Sequence, residues 1–391
     1  MNNIKVGTDL KDKRLLFIDS NVNLGGSLQG TVGLLNALNQ HGFDAQVVDI
    51  YGVNERYLEL LTKNDLSFKI ILRNSSNYVL GAGGIVKRTL KFLHQIPDFI
   101  KIITVLRKFL KEESFDYLLV NNKKTLLPVA LASIGIKTNI VIYHRVWVKE
   151  NDIDFFYYIL MKLYCKNIIS HAKASVHVLE KKFPNINVKY IPNSVELNIA
   201  PITKGNDVFT VILPASRPTK LKGYDCAIKA IKEYTNKNGR DIRLLLTGEV
   251  PIGHSQDFYQ EITKLVNDFE LADIVEFVGW RDDILDLINR ADLMILPSHT
   301  EGFPRVIIES MLLKTPVIST AVGGIPDALE DGVTGYVIDI DDYKSLSERM
   351  IDVKEKKVIT NEIVERAYSF AKFNFNLEAQ TKLFISSLED K

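Results

Sequence analysis

The sequence predicts an α/β protein built from two doubly wound, Rossmann-like domains, and three observations carry that expectation. Its 391 residues exceed one ordinary hydrophobic core and suit two domains of roughly 150 to 200 residues each. Short apolar runs alternate with amphipathic helical stretches in both halves, the pattern of parallel sheets covered by helices. The alternation breaks once, after Ile191-Pro192-Asn193, in a polar stretch reaching Asp207 that contains Pro201, Gly205 and Asn206, the composition of a linker. Domains are therefore expected at 1–195 and 196–369, with the aromatic and apolar segment 370–391 packing back on the first.

Taken in order, the strand-length apolar runs of the first half fall at 15–19, 45–50, 117–120, 140–143 and 188–191. Those of the second fall at 210–214, 243–247, 275–278, 293–296, 316–319 and 336–338. Residues 84–112 differ from both patterns. Lys87, Arg88, Lys91, Lys101, Arg107, Lys108 and Lys111 face only Asp98 and Glu112 and are interleaved with aliphatic and aromatic residues. Pro97 is expected to split this stretch into two short helices. Each could lay its apolar face into a membrane interface with Lys87, Arg88, Lys91, Arg107 and Lys108 at headgroup level, or into the protein core with a solvated basic back.

Composition excludes several classes. Hydrophobic residues make up 46% and charged residues 25% of the chain, which argues against disorder. The net charge of +1 conceals a basic first half, with 26 Lys and Arg against 16 Asp and Glu in residues 1–195, and an acidic second half. A basic half points to an anionic partner such as a phospholipid surface, a lipid-linked phosphate or nucleic acid. No apolar run approaches the roughly 18 residues of a membrane span, and the polar N-terminal residues do not read as a secretory leader. Cys165 and Cys226 are isolated within apolar, helix-like surroundings, as expected of reduced cysteines in a cytoplasmic protein.

Three clusters could carry chemistry. Gly25-Gly26-Ser27 follows the first strand and precedes a helix, where backbone N–H groups can approach a phosphate or sugar, although a plain tight turn fits as well. Arg217 and Lys222 follow the strand at 210–214, with Gly223 opening the next helix; two cations beside a helix N-terminus suit a pyrophosphate. Third, Glu301-Gly302-Phe303-Pro304-Arg305 precedes a helix bearing Glu309. Two glutamates eight apart on one helix would be ~12 Å apart, too far for the carboxylate pair of a glycosidase, so they more naturally grip different parts of one extended ligand. Two Asp-x-Asp triplets, at Asp152 and Asp339, read as a helix cap and a strand end, and His171 with His177 lacks zinc-site spacing, so no metal is expected.

Together these residues resemble family 4 of the glycosyltransferases, retaining enzymes of the GT-B fold, in which two Rossmann-like domains face a central cleft. The resemblance rests on Glu301-Gly302-Phe303-Pro304 through Glu309, Pro316-Val317-Ile318, Gly323-Gly324-Ile325-Pro326 and Asp331-Gly332-Val333-Thr334-Gly335-Tyr336. Ile191-Pro192-Asn193, Arg217 with Lys222-Gly223, Leu246-Thr247-Gly248, Val278-Gly279 and the Gly25-Gly26 turn add to it. It covers the second half almost throughout and the first only at a few points.

The resemblance implies a hexosyltransferase that moves a sugar from a nucleoside diphosphate sugar, with uridine diphosphate the expected carrier, to an acceptor hydroxyl in bacterial cell-surface polysaccharide or glycolipid synthesis. The 196–369 domain would bind the donor and the 1–195 domain the acceptor. Glu309 would hold the ribose and Glu301 the sugar, with backbone N–H groups from Gly302, Phe303 and Pro304. Arg217 and Lys222 would hold the diphosphate, and Gly248 and the loop Gly279-Trp280-Arg281 the nucleoside side. His144 matches a histidine near the transferred sugar, although Arg145 stands where an aspartate is usual. No cofactor, metal or nucleic acid is implied. The expected location is cytoplasmic, peripheral on the inner face of the membrane. A nucleotide-sugar epimerase, a sugar-phosphate synthase and a non-catalytic glycan- or membrane-binding protein of the same fold are the alternatives.

Overall fold

The computed structural model describes residues 12–20, 26–73, 85–121, 123–205, 207–250 and 256–389. It separates into two compact units, Met1–Pro192 with Leu377–Lys391, and Asn193–Asn376.

In the first unit the chain runs β1 (Arg14–Asp19), α1 (Gly26–Gln40), β2 (Asp44–Asp49), α2 (Glu55–Lys63), β3 (Phe68–Ile70), α3 (Ile85–Glu113), β4 (Tyr117–Val120), α4 (Lys123–Ser133), β5 (Asn139–His144), α5 (Phe155–Tyr164), β6 (Cys165–Ser170), α6 (Lys173–Lys182) and β7 (Asn187–Tyr190). The strands form one parallel sheet in the order β3-β2-β1-β4-β5-β6-β7. Leu15, Leu16, Phe17 and Ile18 of β1 are all fully buried, because helices cover both sheet faces and leave no polar side to alternate with. One face packs on Ile102 and Leu106 of α3, Leu126 and Val129 of α4, and Leu160 and Met161 of α5. The other packs on Leu28, Leu34 and Leu35 of α1 and Tyr57 and Leu61 of α2.

The second unit runs β8 (Phe209–Leu213), α7 (Tyr224–Asn238), β9 (Ile242–Thr247), α8 (Gln256–Asp268), β10 (Val275–Gly279), α9 (Ile284–Arg290), β11 (Leu293–Leu296), α10 (Arg305–Leu312), β12 (Val317–Thr320), β13 (Tyr336–Ile338), α11 (Tyr343–Glu355) and α12 (Lys357–Asn374). Its sheet is also parallel, ordered β10-β9-β8-β11-β12-β13. In α7, Ala227, Ile228, Ile231 and Tyr234 are buried, the spacing of one helix face. Both sheets reverse their winding once, between β1 and β4 and between β8 and β11. In open α/β sheets ligands bind outside the carboxyl ends of the strands at that point.

Helix α13 (Leu377–Glu389) returns to the first unit, where Phe384, Ile385 and Leu388 join the core beside α1. Gln380 Nε2 donates to the Pro192 carbonyl at 2.7 Å.

Two strands were not legible. β3 is three residues long with Phe68 and Lys69 exposed, so it carries little apolar signal. β6 begins at Cys165, which the sequence places in a helical pattern; α5 ends one residue earlier and Cys165 is already extended, with φ −101° and ψ 134°. No glycine or proline marks that junction. Helix α3 is a second correction: it runs unbroken for 29 residues through Pro97. A proline forfeits one helical hydrogen bond, and burial of Ile102, Leu106, Phe109 and Leu110 outweighs the loss. That burial also means the described half of α3 already spends its apolar face on the core.

Candidate functional site

The second unit gathers its charged residues at the switch between β8 and β11. After β8 the chain passes Arg217, makes a short 3-10 turn at Lys220–Lys222 and enters α7 through Gly223. Gly223 has φ +70°, and a Cβ there would lie 2.0 Å from the Pro297 carbonyl oxygen. Only glycine allows this turn to lie against the end of β11. The Leu221 carbonyl then accepts from the His299 N–H at 2.9 Å, which ties the two loops together beside the N-terminus of α7.

Glu301 sits where those loops meet. Its Oε1 accepts from Lys222 Nζ and from Ser298 Oγ, each at 2.7 Å. Ser298 is fully buried, and its carbonyl accepts from Thr320 Oγ1 at 2.6 Å. From the far side Gly323, at φ +61°, approaches so closely that a Cβ would fall 1.8 Å from the Glu301 carbonyl oxygen, while Gly324 N–H donates to Gly302 O at 2.6 Å. Asn193 Nδ2 donates to Phe303 O at 2.7 Å. The carboxylate is thus fixed by its neighbours rather than free to swing. An ammonium has three donors, so Lys222 keeps two beyond the one given to Glu301. Among the described residues Arg217 makes no hydrogen bond or ion pair.

Glu309 lies on the buried side of α10. Arg305, one turn earlier, places Nε 3.4 Å from Glu309 Oε1 and donates from Nη1 to Ser194 O at 2.7 Å. Burial raises the Glu309 carboxyl above the usual carboxylate range, with the Arg305 charge opposing the rise. At the end of β9, Gly248 N–H donates to Gly279 O at 2.8 Å, joining it to β10. Beyond Gly279, Trp280 Nε1 donates to Asp282 at 2.9 Å, and Arg281 is held by Asp283 through Nε at 2.7 Å.

Several expected site residues fall elsewhere or narrow. Pro304 is the N-cap of α10 and, as a proline, has no N–H to offer, so backbone donation narrows to Gly302 and Phe303. Gly25 lies outside the described residues; Gly26 opens α1. His144 ends β5, where it is buried and its Nε2 lies 3.2 Å from Tyr157 Oη. Burial lowers its pKa to about 4, so the ring is neutral near pH 7. Lys87, Arg88 and Lys91 lie on the helical backbone of α3, but their side chains are outside the described set. Arg107 is not at a free surface edge: its Nη1 donates to Ala132 O and Ile134 O at 3.0 and 2.6 Å and so caps the end of α4. Lys108 is exposed and pairs with Glu112 at 3.7 Å. Of the Asp-x-Asp residues, Asp154 caps α5 by accepting from Tyr157 N–H at 2.9 Å, and Asp341 meets His299 Nε2 at 2.8 Å.

Ser298, Arg305 and Asn193 were visible in the motif segments but not assigned to the site. For Ser298 and Arg305 the signal was sequence proximity to the glutamates, and for Asn193 it was the Ile191-Pro192-Asn193 segment, whose pairing with Phe303 spans 110 residues. A cavity of 440 Å³ lined by Lys204, Asp241, Asp292 and Lys354 opens at the amino ends of the second sheet, away from these groups.

Residues 199–370 match the family described as glycosyl transferases group 1. The chain is similar to the N-acetyl-alpha-D-glucosaminyl L-malate synthase of Bacillus anthracis, 33% identical over 157 residues, 40% of this chain and 39% of that protein. It is similar also to the lipopolysaccharide core biosynthesis glycosyltransferase LpsE of Rhizobium meliloti, 26% identical over 46% of this chain and 50% of that one. These matches therefore span half or less of either relative. Among solved structures, Anabaena HepE in complex with UDP and glucose superposes with a TM-score of 0.77 at 20% identity, over 96% of this chain and 99% of that one; at that identity the likeness concerns the fold.

Proposed function

From a second domain that matches the group 1 glycosyl transferases, we propose that the chain is a retaining glycosyltransferase that takes a hexose from a UDP-sugar without a metal ion. The carrying observation is the Lys222–Glu301 pair at the β8–β11 switch, flanked by Arg217 and the N-terminus of α7. As the glycosidic bond breaks, negative charge grows on the leaving diphosphate. Arg217, the two remaining donors of Lys222 and the helix N-terminus stabilise that charge electrostatically. Glu301, held by Lys222 and Ser298, accepts from sugar hydroxyls, and Glu309, oriented by Arg305, accepts from the ribose. Retention follows from front-face attack, in which the leaving phosphate takes the acceptor proton.

UDP is favoured as carrier because the structurally similar HepE was solved with UDP and glucose. A cell-surface glycan or glycolipid acceptor, taken by the first unit, is favoured by the similarity to a lipopolysaccharide core glycosyltransferase. The basic first half supports work against an anionic membrane surface from the cytoplasmic side, and no helix among the described residues is long and apolar enough to cross a membrane. A thermal-shift screen of nucleotide sugars tests the reading, since a ligand that binds the native state raises its apparent stability. A shift with UDP-sugars in the presence of a chelator supports it; no shift with any nucleotide sugar overturns it.

A further inference from the structure

We propose that α5 is a lipid-contact helix that rests its exposed face on an anionic membrane surface. This deepens the proposed function and rests on its lipid-linked or membrane-side acceptor. Phe155, Phe156 and Leu163 are 81%, 56% and 70% exposed, and with partly buried Ile159 they recur at the spacing of one helical face. Scattered exposed apolar residues are ordinary on a soluble protein, but an aromatic and aliphatic stripe along one helix is not. The opposite face is fully engaged: Tyr157, Leu160 and Met161 pack into the core with α4. The stripe is therefore surplus to what the fold requires.

Charge complementarity selects the occupant. Lys162 and Lys166 are exposed on and just beyond this helix, and exposed Lys124 lies in the first turn of the neighbouring α4, whose Lys123 is paired with Asp154. Of the nearby acids, Asp154 is neutralised by Lys123 and Glu150 by Lys181, while exposed Asp152 accepts from the Lys149 N–H at 2.8 Å. Aromatic side chains seated at headgroup level, with lysines reaching phosphates beside them, are the contacts an anionic bilayer offers. The buried face adds a consequence for the acceptor. Tyr157, on α5 itself, lies against His144, so the helix that meets the lipid also touches the end of β5 where the first unit presents a histidine. Lipid contact and the acceptor side of the first unit are then joined through the Tyr157–His144 contact between α5 and β5. Among the side chains described on helix α3, the sequence-based candidate, Lys101, Lys108 and Lys111 are exposed.

Co-sedimentation of the full chain with vesicles tests this, comparing phosphatidylglycerol–phosphatidylcholine mixtures with phosphatidylcholine alone. The triple substitution Phe155→Ser, Phe156→Ser, Leu163→Ser is expected to lower binding to the anionic vesicles by about tenfold or more, because it removes the buried apolar area. UDP binding and the unfolding temperature serve as fold controls and should stay unchanged, since these side chains are outside the core and outside the second unit. Wild-type binding should also weaken with salt. The proposal is overturned if the wild type ignores anionic vesicles, or if the variant binds them as well as the wild type. It is overturned too if the wild type is a dimer that the substitutions dissociate, which would make the face a contact between copies. Loss of UDP binding by the wild type would instead refute the transferase reading, so the two failures are separate.

Discussion

Lys222 Nζ donates to Glu301 Oε1 at 2.7 Å, which places the proposed phosphate ligand and the proposed sugar ligand in contact although they are 79 residues apart. With the lysine proposed to read the diphosphate and not the nucleoside, Lys222→Ala should weaken UDP binding by roughly 10- to 100-fold, the worth of a charge-assisted hydrogen bond. Uridine binding should change little. Calorimetric titration of both ligands checks this, and equal losses would remove Lys222 from the phosphate site.

Glu309 should show the opposite signature. Glu309→Gln preserves volume but removes the charge that faces Arg305 at 3.4 Å and the acceptor proposed for the ribose hydroxyls. UDP and uridine affinities should fall together by about tenfold or more. A loss confined to UDP would place Glu309 elsewhere on the ligand.

The two loops of the site depend on a glycine that can be tested against a control. Gly223→Ala should destabilise the protein by more than about 2 kcal/mol, because left-handed backbone strain of ~1–2 kcal/mol adds to a clash at 2.0 Å with Pro297 O. Gly279 has almost the same φ, +69°, but no atom within 4 Å of a Cβ, so Gly279→Ala should cost only about 1 kcal/mol. Similar urea midpoints for the two variants would show that the contact with Pro297 is not a constraint.

Acid should weaken the first unit through its buried histidines. Burial lowers His144 from 6.5 to about 4 and His171 from 6.5 to about 3. Below pH 6.5 the unfolded chain therefore binds protons that the folded chain refuses, and stability falls as pH drops from 6.5 through 4. Asp49 works against this: burial raises it to about 6, so the folded state binds its proton first and that contribution is lost as pH rises through 6. With two histidines against one aspartate, the net expectation is lower unfolding midpoints at pH 4.5 than at pH 7. His144→Gln should make the decline shallower. A slope unchanged by the substitution would contradict the buried neutral ring.

Much of the fold, and of the residues gathered at the candidate site of the second unit, was legible because the signal was local. Strands β4, β11 and β13 were read to the residue, since each is an apolar run bounded by polar or turn residues, and Arg217, Lys222 and Glu301 stood in recognisable segments after strands. What escaped depended on partners distant in sequence. Proline's local penalty suggested a break at Pro97, but the cost is offset by core contacts that a one-dimensional reading cannot count. Arg107 read as a headgroup cation because its acceptors, the carbonyls of Ala132 and Ile134, lie 25 and 27 residues away. Likewise, the amphipathic pattern of α3 fitted a membrane interface and the protein core equally, and only the packing of Ile102, Leu106, Phe109 and Leu110 decides for the core in the described half of the helix.

The most direct test of the donor-site assignment is calorimetric titration of UDP-sugars into the full chain with chelator present, repeated with Glu301→Ala. The expected result is saturable binding of a UDP-sugar by the wild type, with the substitution weakening the sugar nucleotide more than it weakens UDP. Failure of the wild type to bind any UDP-sugar, or an identical loss for UDP and UDP-sugar in the variant, would contradict the role given to Glu301 and Lys222.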